Sequence, residues 1–170
     1  MQFIRLMLVF LMILIGNPAF ATTPHWIIKH TKGRVSQDLA VKISRNIYLY
    51  ALGRDLDPST IFQIISVESG YRPKVVSSKN ARGLMQVMKR WHPEKVKKRN
   101  LFVVETNIEI GAWVLDEYIQ KYGSEREALR AYYGSKDYRY VDKVYSVDLS
   151  DPDYQLVPDE QFSELKVQKN

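Results

Sequence analysis

Apolar residues along this chain recur at helical spacing, and no stretch alternates with period two for long. Leu39, Ile43, Ile47 and Ala51, four apart, mark one face of a helix that Ser36 can cap and Gly53 can end. Asp57 and Pro58 supply an N-cap carboxylate and a first-turn proline for a second helix, which runs to Ser69 with Gly70 as its stop. Tyr71–Arg82, rich in Pro, Ser, Asn and Lys, reads as a loop. Gly83–Lys89 is expected to begin a short helix limited by Pro93. Thr106 and Glu109 form a capping box before a stripe of Ile108, Ala112, Leu115 and Ile119, and Gly123 closes that helix. Ser124 and Glu127 form a second capping box, ahead of Ala128, Leu129, Ala131 and Tyr132, and a last short helix is expected around Tyr140–Tyr145. The fold class is therefore mainly α: a compact helical domain with little or no β-structure.

The pattern changes at both ends. Met1–Arg5 gives a positive start, Leu6–Ile15 is continuously apolar, Asn17-Pro18 breaks it, and Ala19-Phe20-Ala21 fits small-x-small processing. Residues 1–21 thus read as a signal peptide cleaved near Ala21, which predicts export to the periplasm or cell envelope. As a helix the apolar run spans about 15 Å against ~30 Å of bilayer hydrocarbon, so no permanent membrane anchor is expected. Thr22–Arg34 lacks clean periodicity and reads as a leader into a domain spanning 22–147. Residues 148–170, without an apolar stripe, read as a mostly extended C-terminal tail.

Composition narrows the chemistry. The 170-residue chain contains no cysteine, so the expected exported domain must hold together by packing alone. Its formal charge of +6 favours anionic partners: nucleic acid, acidic lipid or an acidic wall polymer. Export makes nucleic acid the least natural of these, and none is expected. Lys89, Arg90, Lys95, Lys97, Lys98 and Arg99 form the densest basic cluster, readable as a solvated surface or as an attractor for an anionic polymer. No phosphate loop or nucleophile elbow is present, and His25, His30 and His92 lack metal-ligand spacing, so neither cofactor nor metal is expected.

Glu68 stands out because it closes the run Ile61-Phe62-Gln63-Ile64-Ile65-Ser66-Val67, where most positions call for burial. Burial disfavours a charged carboxyl and can raise its pKa by up to ~3–5 units. The negative end of the helix dipole pushes the same way by under about one unit, so burial would dominate. Such tuning suits a general acid working near neutral pH. A solvated glutamate at a frayed helix end is the alternative.

Glu68-Ser69, Pro73, Ser77, Ala81, Gly83-Leu84-Met85-Gln86, Met88, Asn107-Ile108, Gly111 and Ala131-Tyr132 occur in one order. That series resembles the catalytic domain of soluble lytic transglycosylases, over roughly Ser36–Val144. The resemblance implies a lysozyme-like fold and cleavage of peptidoglycan glycan strands, with Glu68 as sole catalytic acid/base. It implies cleavage between N-acetylmuramic acid and N-acetylglucosamine without water, leaving a 1,6-anhydromuramyl end. It further implies substrate contacts at Ser77, Gln86, Met88 and Tyr132. Tyr140 and Tyr71 are further candidates, each offering a ring for a sugar face and a hydroxyl. Ser77 and Gln86 carry neutral donors and acceptors suited to acetamido and hydroxyl groups, although backbone-satisfied core polarity also accounts for Gln86. Met88 fits a cleft or a core equally. Gly83 would let its loop turn tightly, and Asn107 and Gly111 would serve helix start and close packing.

Two positions depart from the family pattern. Tyr133 stands where Ala-Tyr is usually followed by Asn, and Asn80 stands where glycine is common, though Asn tolerates left-handed backbone. Both bear on substrate fit rather than on reaction type. A lysozyme-type hydrolase on the same fold, and a non-catalytic wall-binding module of a secretion apparatus, are the rival readings. Family members of this size often serve secretion, conjugation or phage envelope-spanning machinery, which are the partners to consider beside the glycan.

Overall fold

The structure, a computed structural model, describes residues 18–151. Among these described residues seven helices follow one another: α1 (Pro18–His30), α2 (Gln37–Leu52), α3 (Pro58–Ser69), α4 (Pro93–Val96), α5 (Val104–Tyr122), α6 (Glu125–Tyr133) and α7 (Arg139–Tyr145). Among the described residues the β-structure amounts to isolated bridges pairing Val76 with Arg82 and Arg82 with Val87. No helix among them is long and apolar enough to cross a membrane.

The two helices with the plainest apolar periodicity have the expected ends. Ser36 caps α2 by accepting from the Leu39 amide, and its Ala40, Ile43, Ile47 and Ala51 are buried. Asp57 caps α3 through the Ser59 amide at 2.8 Å, and Gly70 ends it in the left-handed region at φ 55°. Ile61, Phe62, Ile64 and Ile65 of α3 are all fully buried. This helix packs against α2 and α7, so its last turn delivers Glu68 to the edge of the core. Gly123 closes α5 and Gly134 closes α6, both left-handed.

Four expectations need correction. Thr22–Arg34 is not an irregular leader: α1 covers most of it and packs on α2. Trp26 and Ile27 anchor it, the indole meeting Phe62 and Tyr71 edge-on at 6.3 and 6.1 Å. Its first turn, 18–21, belongs to the segment expected as a signal peptide, whose remaining residues lie outside those described. Gly83–Lys89 is a turn rather than a helix, with Gly83 at φ 76° and Gln86 at φ 48°. The helix Pro93 permits begins at that proline, as the short α4. Thr106 and Glu109 do not cap α5, because the helix starts earlier, at Val104, with no side-chain cap. Finally, the basic cluster is not uniformly solvated: Lys95 is buried, bonded to Glu94 at 3.0 Å and Glu117 at 2.8 Å, with its ammonium 4.5 Å from the Trp113 ring centre. Arg99 is paired with Glu109.

The second capping box is half formed. Ser124 accepts from the Glu127 amide, while the Glu127 carboxylate turns to Arg130 and the Tyr138 hydroxyl. The C-terminal tail is described only as far as Asp151, which pairs with Lys29 of α1.

Candidate active site

One side chain fixes the turn beside Glu68. Asn107, on the first turns of α5, is buried, and its Oδ1 accepts from the Met85 amide at 2.7 Å. Its Nδ2 donates to the carbonyls of Arg82 at 2.9 Å and Leu101 at 2.8 Å. Sequence reasoning assigned Asn107 to the helix start; it is instead the clamp on the Gly83–Met88 turn. Gly83 is needed on two counts. Its φ is left-handed, and a Cβ there would lie 2.2 Å from Asn107 Nδ2 and 2.3 Å from the Leu101 carbonyl oxygen. Gly111 meets the same turn, since a Cβ would stand 2.3 Å from Met85 Sδ.

The clamped turn borders a cleft of about 490 Å³. Glu68 reaches it from the end of α3, and Ser77, Ser78, Lys79 and Ala81 from the loop that follows. Gln86, Met88, Arg90, Trp91 and His92 come from the turn and its exit, Val114 and Tyr118 from α5, and Ala131, Tyr132 and Tyr133 from α6. Glu68 is the one acidic residue among those lining residues. A second recess, sharing Glu68 and Tyr133, adds Tyr140, Lys143 and an Asp137 already engaged by Arg139.

Glu68 is held by one specific bond: the Tyr140 hydroxyl donates to its Oε1 at 2.7 Å. Burial pushes the Glu68 carboxyl above the ordinary glutamate range, against smaller opposing pulls from the Tyr140 hydrogen bond and the charge of Lys143. The site therefore keeps a carboxyl whose protonated form persists to higher pH, next to a donor ready to meet its charged form.

The transglycosylase SLT domain family matches residues 46–143, more than half of the chain and all of the cleft. The chain belongs to this family. It is also 35% identical over 83 residues to a protein named transglycosylase from Enterobacteria phage PRD1. That match takes in 47% of the chain but only 30% of the phage protein's length. No solved structure matches. The family match spans the helices that carry Glu68, the clamp and Tyr132.

Within the SLT domain, the residues expected at the site separate by what their polar atoms already do. Ser77 lines the cleft with its Oγ accepting from the Ala81 amide at 3.0 Å. Gln86 also lines it, but its Nε2 donates to the carbonyls of Gly83 at 2.9 Å and Val75 at 3.3 Å. Its amide nitrogen thus secures the turn. Met88 lines the cleft half-buried. Tyr132 lends its ring to the cleft, while its hydroxyl donates to the Met85 carbonyl at 2.8 Å. Tyr140 is buried against Glu68 and borders the second recess. Tyr71 is not at the site: it is fully buried, its hydroxyl donating to the Phe62 carbonyl at 2.8 Å.

The departures also find their places. Tyr133 stacks on Tyr140, ring centres 4.5 Å apart and planes within 6°. Asn80 is left-handed at φ 64°, and its Oδ1 accepts from Arg82 Nε. Sequence reasoning singled out neither Trp91 nor Lys79. An isolated tryptophan after Arg90 carries no periodic signal, and only its high exposure at a cleft makes it notable.

Proposed function

We propose that the protein is an exported lytic transglycosylase that cleaves the β-1,4 bond between N-acetylmuramic acid and N-acetylglucosamine in peptidoglycan. The observation that carries the reading is Glu68, half-buried and hydrogen-bonded, as the one carboxyl among the residues lining the cleft. Two-carboxylate glycosidases place their second group about 5–9.5 Å from the first, as nucleophile or as base for water. A one-carboxyl cleft suits a reaction whose nucleophile is already on the sugar. Protonated Glu68 gives its proton to the glycosidic oxygen as the C1–O bond breaks. The resulting carboxylate, met by the Tyr140 hydroxyl, takes the proton of the muramyl C6 hydroxyl as O6 bonds to C1. The carboxyl is restored, no water is consumed, and the product end is a 1,6-anhydromuramyl residue. Tethering gives the attacking hydroxyl an effective molarity that reaches ~10⁵–10⁸ M in favourable cases.

Ser77, Gln86, Met88 and the Tyr132 ring would position the glycan. Export is supported by the leader pattern and by Pro24. In a chain beginning at Thr22 that proline would fall in the first turn of α1, where its missing N–H costs little. Digestion of purified peptidoglycan followed by mass spectrometry tests the reaction type. Anhydromuramyl ends are expected, and reducing ends alone would make the protein a hydrolase.

The Tyr140 bond gives a second expected result. Tyr140→Phe keeps the ring but removes a donor that favours the Glu68 carboxylate, so the carboxyl pKa rises further. The alkaline limb of the pH–rate profile, set by loss of the protonated acid, should move to higher pH. A limb that stays in place or moves down would show that the bond is not made in the working enzyme.

A further inference from the structure

This inference rests on the reading of the cleft as a peptidoglycan site. Four cations, three from the basic cluster and Lys79 outside it, divide into two kinds. Lys95 and Arg99 are bound by carboxylates of their own fold. Lys79 and Arg90 line the cleft, and among the described residues no carboxylate pairs with either. The Arg90 guanidinium lies 5.1 Å from the centre of the Trp91 ring, occupying one side of an indole that is 65% exposed. Its remaining surface is open at the cleft, in the manner of a platform for a sugar face. A neutral sugar strand gives two uncompensated cations nothing to recognise. In peptidoglycan, carboxylates hang from C3 of every second sugar, either as the free lactyl group or on the peptide attached to it.

We propose that Lys79 and Arg90, beside Trp91 as a sugar platform, bind carboxylates carried on the C3 substituent of muramyl residues. The cleft thereby distinguishes muramyl strands from neutral N-acetylglucosamine strands through the substituent as well as the sugar.

Binding by the Glu68→Gln protein tests this without turnover. The probes are peptide-bearing glycan strands, amidase-stripped strands with free lactyl carboxylates, and a neutral chito-oligosaccharide of equal length. Adding Lys79→Ala and Arg90→Ala should weaken binding of a carboxylate-bearing strand ~3–10-fold more than that of the neutral one, as expected for two exposed charge contacts. The difference should vanish near 1 M salt, where the screening length falls to about 3 Å. Loss on both muramyl probes means that a carboxylate at either place serves, loss on the stripped strand alone identifies the lactyl carboxylate, and loss on the peptide-bearing strand alone identifies the peptide. Trp91→Ala should weaken all three probes together. Equal losses on neutral and anionic strands, or no loss, overturn the proposal. Failure of Glu68→Gln to bind any of the three glycans instead overturns the peptidoglycan reading beneath it.

Discussion

Glu68→Gln is expected to lower the rate of peptidoglycan cleavage by at least ~10²-fold, the lower range for a lost general acid–base group. The substitution preserves size and leaves an oxygen to accept the Tyr140 hydroxyl, but the amide cannot donate the proton that the leaving oxygen needs. Turnover near that of the parent protein would remove Glu68 from the mechanism. Stability supplies an independent check, because the burial that tunes the carboxyl also opposes folding once it is charged. With a folded pKa above the unfolded value of ~4.3, the stability Glu68 contributes is fully present below that value. It is lost as pH rises through the folded pKa. Glu68→Gln removes this titration. Its melting temperature should therefore exceed that of the parent at pH 7–8 and approach it near pH 4. Loss of activity with gain of stability separates a missing proton from a damaged fold. A lower melting temperature at neutral pH would mean that burial does not govern this carboxyl.

Why Glu68 was visible from sequence, and its neighbours less so, follows from the range of the interactions involved. The ends of α2 and α3 depend on residues within a turn of them, and Ser36, Asp57, Pro58 and Gly70 are enough to set them. The carboxyl at the end of an apolar run is equally local. By contrast, Tyr140 meets Glu68 across 72 positions of chain, and nothing near either residue encodes the bond. The sequence predicts a helix from Gly83 where the structure has a turn, because the conformation is imposed from outside: Asn107, 22 residues from Met85, takes the Met85 amide and the Arg82 carbonyl. Helix α1 escaped notice for a related reason. Pro24 argues against a helix interior, and Trp26 and Ile27 make no stripe by themselves. Their anchoring depends on Phe62 and Tyr71 of the later core. The ordered motif series holds Gly83, Met85 and Asn107 together as single residues at fixed separations, where periodicity records only one element at a time.

The clamp should therefore be the most sensitive position outside the acid. Asn107→Ala leaves the Met85 amide and the Arg82 and Leu101 carbonyls without their partner, in a place where Asn107 itself is 1% exposed. An orphaned buried group costs ~1–3 kcal/mol, and partial relaxation makes three of them less than additive, so a loss of about 3–5 kcal/mol is expected. Against a total stability of ~5–15 kcal/mol this brings the domain close to unfolding, and urea titration would read it directly. Activity should fall even well below the melting temperature, since the turn carries Gln86 and Met88 into the cleft. Asn107→Asp separates the bonds from the cavity. It keeps volume and the acceptor for Met85, but turns a second oxygen toward the two carbonyls. A comparable loss in that variant places the energy in the hydrogen bonds, whereas near-normal stability places it in packing. Gly83 supplies the geometric counterpart, because the Cβ of Gly83→Ala collides with both Asn107 and the Leu101 carbonyl oxygen. In Gly83→Ala with Asn107→Ala the first collision disappears and the second remains. The double variant should thus be less damaged than the sum of the single ones. Strict additivity would mean that turn and clamp do not act on each other, and that the cleft edge is held by some other contact.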